Sequence, residues 1–295
     1  MEVLFHKKFL EHNIDNDGEG AYRLLSYMDN YETPWVDGEP YLNLIHSERY
    51  IEHIKGACQR GDEVAEVILN TASYEAACLA VGLTIKASEK GDFAVVRPPG
   101  HHAHREKAGG FCFFNNIAIA AQKLVNEGKN VFIFDIDAHH GDGTQSIFYD
   151  SDKVLYCSIH QHYAFPFTGF PDETGFGAGY GYNYNFPLIS GSGDKDFLIS
   201  VDKAIAAARQ FKPDVVAVSA GFDAYLKDRA LGLQVTQKAF YECAFRLRRA
   251  FPNIFAVLEG GYHEDVKECI DNFLEGIQKG ALPPVLKWDT DMSIG

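Results

Sequence analysis

Val131-Phe132-Ile133-Phe134-Asp135-Ile136-Asp137-Ala138-His139-His140-Gly141-Asp142-Gly143 decides the fold and points to the chemistry. Residues 131–134 form a short, continuous apolar run, the pattern of a strand buried on both faces. The run leads straight into Asp135, Asp137, His139, His140 and Asp142. Extended backbone beyond the strand end sets Asp135, Asp137 and His139 on one side of the chain, because side chains alternate. Several carboxylates and imidazoles against an apolar strand are costly to bury as bare charges. A divalent cation that takes Asp137 and His139 as ligands offsets that cost, with the neighbours around them as supports. The plain alternative is a solvated strand-to-loop turn, and matching clusters at three other places in the chain weigh against it.

Working outward, apolar runs of the same kind stand at 3–5, 93–96, 154–158, 215–219 and 254–258. Between them lie helical patterns at 47–58, 73–88, 115–126, 195–210, 236–250 and 264–278, with Ser73 and Thr236 placed to cap two of them. Strands alternating with helices predict an α/β fold with a central, largely parallel sheet covered on both faces. Four strands each deliver polar side chains at their carboxyl ends. Residues 93–96 precede Arg97-Pro98-Pro99-Gly100-His101-His102, and 131–134 precede the Asp/His cluster. Residues 215–219 precede Ala220-Gly221-Phe222-Asp223, and 254–258 precede Glu259-Gly260-Gly261-Tyr262-His263. In open α/β sheets that edge is where ligands bind. Segment 161–186, rich in Gly, Pro, Phe and Tyr, reads as a long ordered loop. No repeat or linker divides the chain, so residues 1–280 read as one catalytic domain and 281–295 as a C-terminal extension.

The chain has 295 residues, 46% of them hydrophobic, and a formal charge of −14, which disfavours nucleic acid as a partner. An acidic surface can attract cationic small molecules or basic peptides. No apolar stretch reaches membrane-spanning length, and the N-terminus lacks the apolar core of a signal peptide. The six cysteines are scattered with no Cys-x-x-Cys pair, a pattern suited to reduced thiols in a cytoplasm. A homo-oligomer stays open.

Asp137, His139 and Asp223 make a mixed oxygen and nitrogen ligand set with positions left over, the sign of a catalytic metal rather than a structural one. Zinc is the first choice, and ferrous iron suits the same donors. Such a cation acidifies a water and polarises a carbonyl. His101 and His102 sit in a Gly-rich turn where either ring can serve as general base, with Asp135 and Asp142 as carboxylate partners. Tyr262, after two glycines, can lend its hydroxyl to an oxyanion. Gly110, Phe111, Phe165 and Phe167 can wall a narrow apolar passage for a slim alkyl chain ending in an amide. Filling of the aromatic core explains any one of them as well.

At these residues the chain resembles the histone deacetylase family of the arginase–deacetylase superfamily. The matching stretches are Arg97-Pro98-Pro99-Gly100-His101-His102, Gly110-Phe111-Cys112-Phe113-Phe114-Asn115-Asn116 and Asp135 to Gly143. Ser219-Ala220-Gly221-Phe222-Asp223 and Glu259-Gly260-Gly261-Tyr262 complete them in family order. The resemblance implies a three-layer α/β domain and a zinc-dependent amidohydrolase that removes acetyl from an amine. It implies metal ligation by Asp137, His139 and Asp223, acid/base work by His101 and His102 with Asp135 and Asp142, and carbonyl polarisation by Tyr262. Phe111 and Phe165 correspond to tunnel walls. Structural potassium is also implied, at Asp135, Asp137, His139 and Ser158 and at Phe148, Ser151 and Val154.

Three departures bear on the substrate. Gly18-Glu19-Gly20-Ala21 stands near the place of the family's His-Pro-Glu. The family's Asp-Pro-Leu-Gly reads Asp228-Arg229-Ala230-Leu231-Gly232, which puts Leu231 at the tunnel mouth with an extra residue. The acidic rim segment is poorly matched, with Glu66 as its candidate. The stretch from Phe165 to Gly175 is similar to a loop of bacterial acetylpolyamine amidohydrolases. The expected substrate is therefore a small cationic acetylated amine or an acetyl-lysine peptide. A binuclear ureohydrolase of the arginase type needs a second carboxylate two residues past Asp223, where Tyr225 stands. A non-catalytic receptor for acetylated ligands would show a lost ligand or tyrosine, and neither is lost.

Overall fold

Val131–Asp135 is buried along its whole length, and its parallel neighbours on both sides are Val215–Ala220 and Val154–Gln161. The computed structural model describes residues 1–12 and 18–281. Its strands in chain order are β1 (Val3–Leu4), β2 (Glu63–Val64), β3 (Val67–Ile68), β4 (Phe93–Ala94), β5 (Val131–Asp135), β6 (Val154–Gln161), β7 (Asn183–Leu188), β8 (Val215–Ala220) and β9 (Ile254–Leu258). The helices are α1 (Glu48–Arg60), α2 (Thr71–Lys90), α3 (Asn116–Asn126), α4 (Asp142–Phe148), α5 (Asp194–Phe211), α6 (Gln237–Ala250) and α7 (Val266–Gly280). Seven strands form one sheet in the order β1-β4-β9-β8-β5-β6-β7, and every pairing in it is parallel. Strands β2 and β3 form a separate antiparallel hairpin.

Strands β5 and β9 are buried at every position, so both faces of the sheet centre are covered by helices, as continuous apolar strands require. Helix α2 packs on α3 and β9, α5 on α6, and α6 on α7. Each fully buried Phe, Ile or Leu contributes roughly 1.5–3 kcal/mol by leaving water, and one contiguous core holds Phe93, Phe132, Phe134, Phe222, Phe255 and Phe273.

Some sequence expectations need adjusting. The cap of α2 is Asn70, with Ser73 three residues in, each side chain bonding the other's backbone in a capping box. Thr236 does precede α6, but its hydroxyl donates to the Asp194 carboxylate instead of capping. Segment 161–186 is not wholly loop: β7 begins within it and extends the sheet edge. The tail expected as an extension lies outside the described residues from 282 onward.

Candidate metal centre and active site

The parallel register brings the polar clusters to one edge. Asp135 on β5 pairs with Ser219 on β8, and Ala220 pairs with Leu258 on β9. The residues that follow these strand ends therefore emerge side by side. Ligand atoms of Asp137, His139 and Asp223 lie within 4.8 Å of one another. His139 Nδ1 is 2.5 Å from Asp223 Oδ2 and 3.3 Å from Asp137 Oδ1. Backbone donors fix both carboxylates: Gly260 N–H donates to Asp137 Oδ2 at 2.7 Å, and Ala138 N–H to Asp223 Oδ1 at 2.7 Å.

Glycine is required around this cluster. A Cβ on Gly260 would stand 2.6 Å from Asp137 Oδ2 and 3.0 Å from Asp223 Oδ2, and one on Gly221 would collide with the Asp137 carboxylate. Burial alone would lower the His139 pKa, but the Asp223 and Asp137 carboxylates hold it up at about 10. Burial and the Asp137 charge push Asp223 upward. Three groups that otherwise need a shared proton suit a divalent cation, which supplies two charges in its place. The donor set fits such an ion.

Both histidines of the tandem pair are buried, with ring centroids 4.0 Å apart. His102 Nδ1–H donates to Asp142 Oδ1 at 2.8 Å, and His101 Nδ1–H donates to Asp135 Oδ2 at 3.1 Å. Burial and the adjacent His101 push the His102 pKa down to about 4. For His101, attraction from Asp135 and Asp137 outweighs burial and raises it. Two neighbouring imidazoles with pKa values driven apart make a neutral acceptor beside a cation.

A cleft of about 480 Å³ opens over this centre. His102, His139 and Tyr262 lie at its base, Gly110, Phe111 and Phe165 line it, and exposed Glu66, Arg229 and Ala230 stand at its rim. The Phe165 ring sits edge-on to His102 at 5.2 Å, and the Phe111 ring edge-on to Tyr262 at 5.8 Å. A larger cavity of about 1090 Å³ lies at the opposite end of the sheet, beside Gly91, Lys129, Asp214 and Asn253, far from the Asp/His cluster.

Two residues expected in the passage are elsewhere. Phe167 is 68% exposed and does not line the cleft. Leu231 packs against the core, and Ala230 takes the rim position beside Arg229. Of the residues implied for potassium, Asp135 and Ser158 face each other across β5 and β6. Ser158 Oγ is 2.8 Å from His160 Nδ1. Phe148 closes α4, its carbonyl accepts from Ser151 N–H, and Val154 begins β6.

Sequence reasoning passed over the scaffold that holds these groups. Buried Glu259 accepts from Gly100 N–H at 2.7 Å, His101 N–H at 3.1 Å and the Ser219 hydroxyl at 3.0 Å, clamping the histidine turn to β8 and β9. The Tyr156 hydroxyl donates to Asp135 Oδ2 at 3.1 Å. Buried Glu19 lies between Arg97 at 2.6 Å and Arg23 at 2.8 Å, and Arg23 Nε–H donates to the Gly261 carbonyl at 2.7 Å. Glu259 carried a readable signal, an acid at the end of an apolar strand like Asp135. Glu19 stood out only as part of the departure from the family's His-Pro-Glu, and Arg23 lies in a segment without strand or helix pattern and carried no signal.

Comparison with known proteins agrees with this geometry. The sequence profile described as the histone deacetylase domain matches residues 26–277. A probable deacetylase of Archaeoglobus fulgidus is 34% identical, over 88% of this chain and 80% of its own length. The crystal structure of the HDA15 HD domain superposes with a TM-score of 0.86 at 30% identity, covering 95% of this chain and 94% of that one. An acetylpolyamine aminohydrolase from Burkholderia pseudomallei gives 0.82 at 28% identity, covering 96% and 100%.

Proposed function

Because this chain belongs to the histone deacetylase domain family, we propose that its deacetylase activity on acetylated amines is a metal-dependent hydrolysis releasing acetate and the free amine. One observation carries the reading: Asp137, His139 and Asp223 converge, and His139 lines the same cleft as Tyr262 and as His102, oriented by Asp142. These three residues would hold the cation, zinc first and ferrous iron second. When bound, it supplies a Lewis acid that acidifies water and polarises the acetyl carbonyl.

The chain's own residues do the rest. With its Nδ1–H committed to Asp142, His102 turns Nε2 into the cleft as the proton acceptor for the attacking water. The same nitrogen returns that proton to the departing amine. His101, anchored on Asp135 through Nδ1–H, stands beside His102 and supports negative charge building there. The Tyr262 hydroxyl donates to the oxyanion. Phe111 and Phe165 align a slim alkyl chain and exclude water from the amide. The substrate is a small acetylated amine or an acetyl-lysine side chain. Structural potassium near Asp135 and Ser158, and a reducing cytoplasm suited to six free buried cysteines, complete the reading.

The guanidine-hydrolase alternative is not favoured. Tyr225 stands where it needs a carboxylate, and its hydroxyl donates to Asp265 at 3.3 Å. The test is to strip the protein with chelator, reload zinc or ferrous iron, and measure acetate release and metal content together. One metal per chain with restored turnover is expected. Asp223→Ala should bind less than about a tenth of that metal. Two transition metals per chain, or activity in the stripped protein, would overturn the reading.

A further inference from the structure

At the rim of the cleft two opposite charges stand apart. Glu66 and Arg229 both line the opening, both are exposed, and among the described residues neither has an ion-pair or hydrogen-bonding partner. They do not pair with each other. Across a chain of formal charge −14, an unpaired guanidinium at the catalytic entrance is not what the average surface would place there.

The backbone that presents each of them is held in position. Glu66 sits at the tip of the β2–β3 hairpin, where Ala65 and Glu66 have φ of 50° and 63°. Two-residue hairpin turns with positive φ at both centres favour Asn-Gly, so Ala-Glu is a strained choice there. That strained turn is tied to the cleft wall, because Phe111 N–H donates to the Ala65 carbonyl at 3.1 Å. Arg229 follows Asp228, whose carboxylate accepts from Ala230 N–H at 2.8 Å and from Tyr262 N–H at 2.7 Å. The loop that presents Arg229 is thereby fixed to the residue assigned to the oxyanion.

We infer that the rim recognises a zwitterion: the substrate is a free α-amino acid whose ω-amine carries the acetyl group, with Arg229 gripping the α-carboxylate and Glu66 the α-ammonium. A guanidinium presents a planar fork that matches a carboxylate with two parallel hydrogen bonds. The same cation repels the distal ammonium of an acetylpolyamine, and an internal acetyl-lysine of a peptide has no carboxylate to offer. This inference rests on the deacetylase reading and narrows its substrate.

The test uses the zinc-loaded full chain and four substrates of matched length. Nε-acetyl-lysine carries both charges, acetylcadaverine lacks the carboxylate, 6-acetamidohexanoate lacks the ammonium, and a capped peptide holds acetyl-lysine internally. Wild-type kcat/KM should favour acetyl-lysine over acetylcadaverine by about tenfold, chiefly through KM. Arg229→Gln should bring that ratio near one, and Arg229→Lys should restore part of it. Glu66→Gln should erase the preference of acetyl-lysine over 6-acetamidohexanoate. Each ratio is taken within one enzyme, so differences in folded fraction cancel. Equal or better use of acetylcadaverine or the capped peptide by wild type, or ratios unmoved by the substitutions, would overturn the zwitterion assignment alone. Failure of the metallated protein on all four substrates would remove the deacetylase reading beneath it.

Discussion

Tyr262 is fixed everywhere except at its hydroxyl. Its N–H donates to Asp228, its carbonyl accepts from the Tyr22 hydroxyl at 3.1 Å, and the Arg23 guanidinium lies 5.0 Å from its ring centre. The hydroxyl has no hydrogen-bond partner among the described residues, and burial with the Asp137 charge holds its pKa above the ordinary tyrosine value. It is therefore a protonated donor free to meet charge that develops on a substrate. Tyr262→Phe keeps the ring, its packing and its backbone contacts and deletes only that donor. Turnover should fall about 10²–10³-fold, the usual loss for one oxyanion donor, while metal content and melting temperature stay at the wild-type values. Steady-state kinetics beside metal analysis decides it; an undiminished kcat would place the oxyanion elsewhere. Tyr262 was legible in the sequence because two glycines after an apolar run announce a tight approach. Arg23 beneath it was not, since nothing local to residues 20–27 says that its partners lie at Gly261 and Glu19.

Elements were legible in proportion to their burial. Strands β5, β8 and β9 read cleanly because both faces are covered, leaving an uninterrupted apolar run. Strand β7, Asn-Tyr-Asn-Phe-Pro-Leu, lies at the sheet edge with mixed exposure and a proline, so its composition resembles loop. Helix α4 has only 7 residues, too short to develop a helical period. The hairpin β2–β3 has two residues per strand and a turn without glycine, so no turn signal marks it. The loop carrying Gly110 shows how an element can matter through one missing atom. Gly110 has φ of 50°, and a Cβ there would collide with the His102 ring and stand 3.1 Å from the Phe165 ring. Gly110→Ala should displace His102 or Phe165 and cut kcat/KM by at least about tenfold, since small misplacements of a catalytic group cost on that scale or more. Thermal stability should fall far less than a core substitution would cause. A variant with normal kinetics would show that the wall yields without disturbing the base.

For the whole molecule, the decisive feature is how many ionisable groups the fold buries at one end of the sheet and along its flank. Glu19 reaches Arg97, 78 residues away, and together with Arg23 this cluster ties the N-terminal segment to the ends of β4 and β9. No periodicity encodes such partners, because the match exists only after the sheet has assembled; the layer architecture was readable, and its ionic fasteners were not. These groups also set the response to acid. His46 is buried with both ring nitrogens used, Nδ1–H donating to the Arg105 carbonyl at 3.0 Å and Nε2 accepting from Asn115 N–H at 3.0 Å. Burial lowers its pKa to about 4, and burial does the same to His12. Between about 4 and the unfolded value of 6.5, the unfolded chain binds more protons than the native one, so stability rises with pH across that window. Glu19 acts lower: despite burial, Arg97 and Arg23 hold its folded pKa below 4.5, so its contribution is present above 4.5 and lost as pH falls through the folded value. Urea unfolding of the metal-loaded protein from pH 8 to pH 4 should therefore lose stability through these histidines below 6.5, against the opposite contribution of Glu259, whose carboxyl burial pushes up to about 7. Each of the two histidines would contribute up to about 1.4 kcal/mol per pH unit. His46→Gln, which retains a donor and an acceptor but cannot take up that proton, should lose about one such increment of slope between pH 6.5 and 4. The difference between the two proteins separates His46 from the titrations of the metal centre, which both share. Identical slopes would mean that the imidazole is protonated in the folded protein and that Asn115 N–H finds another acceptor.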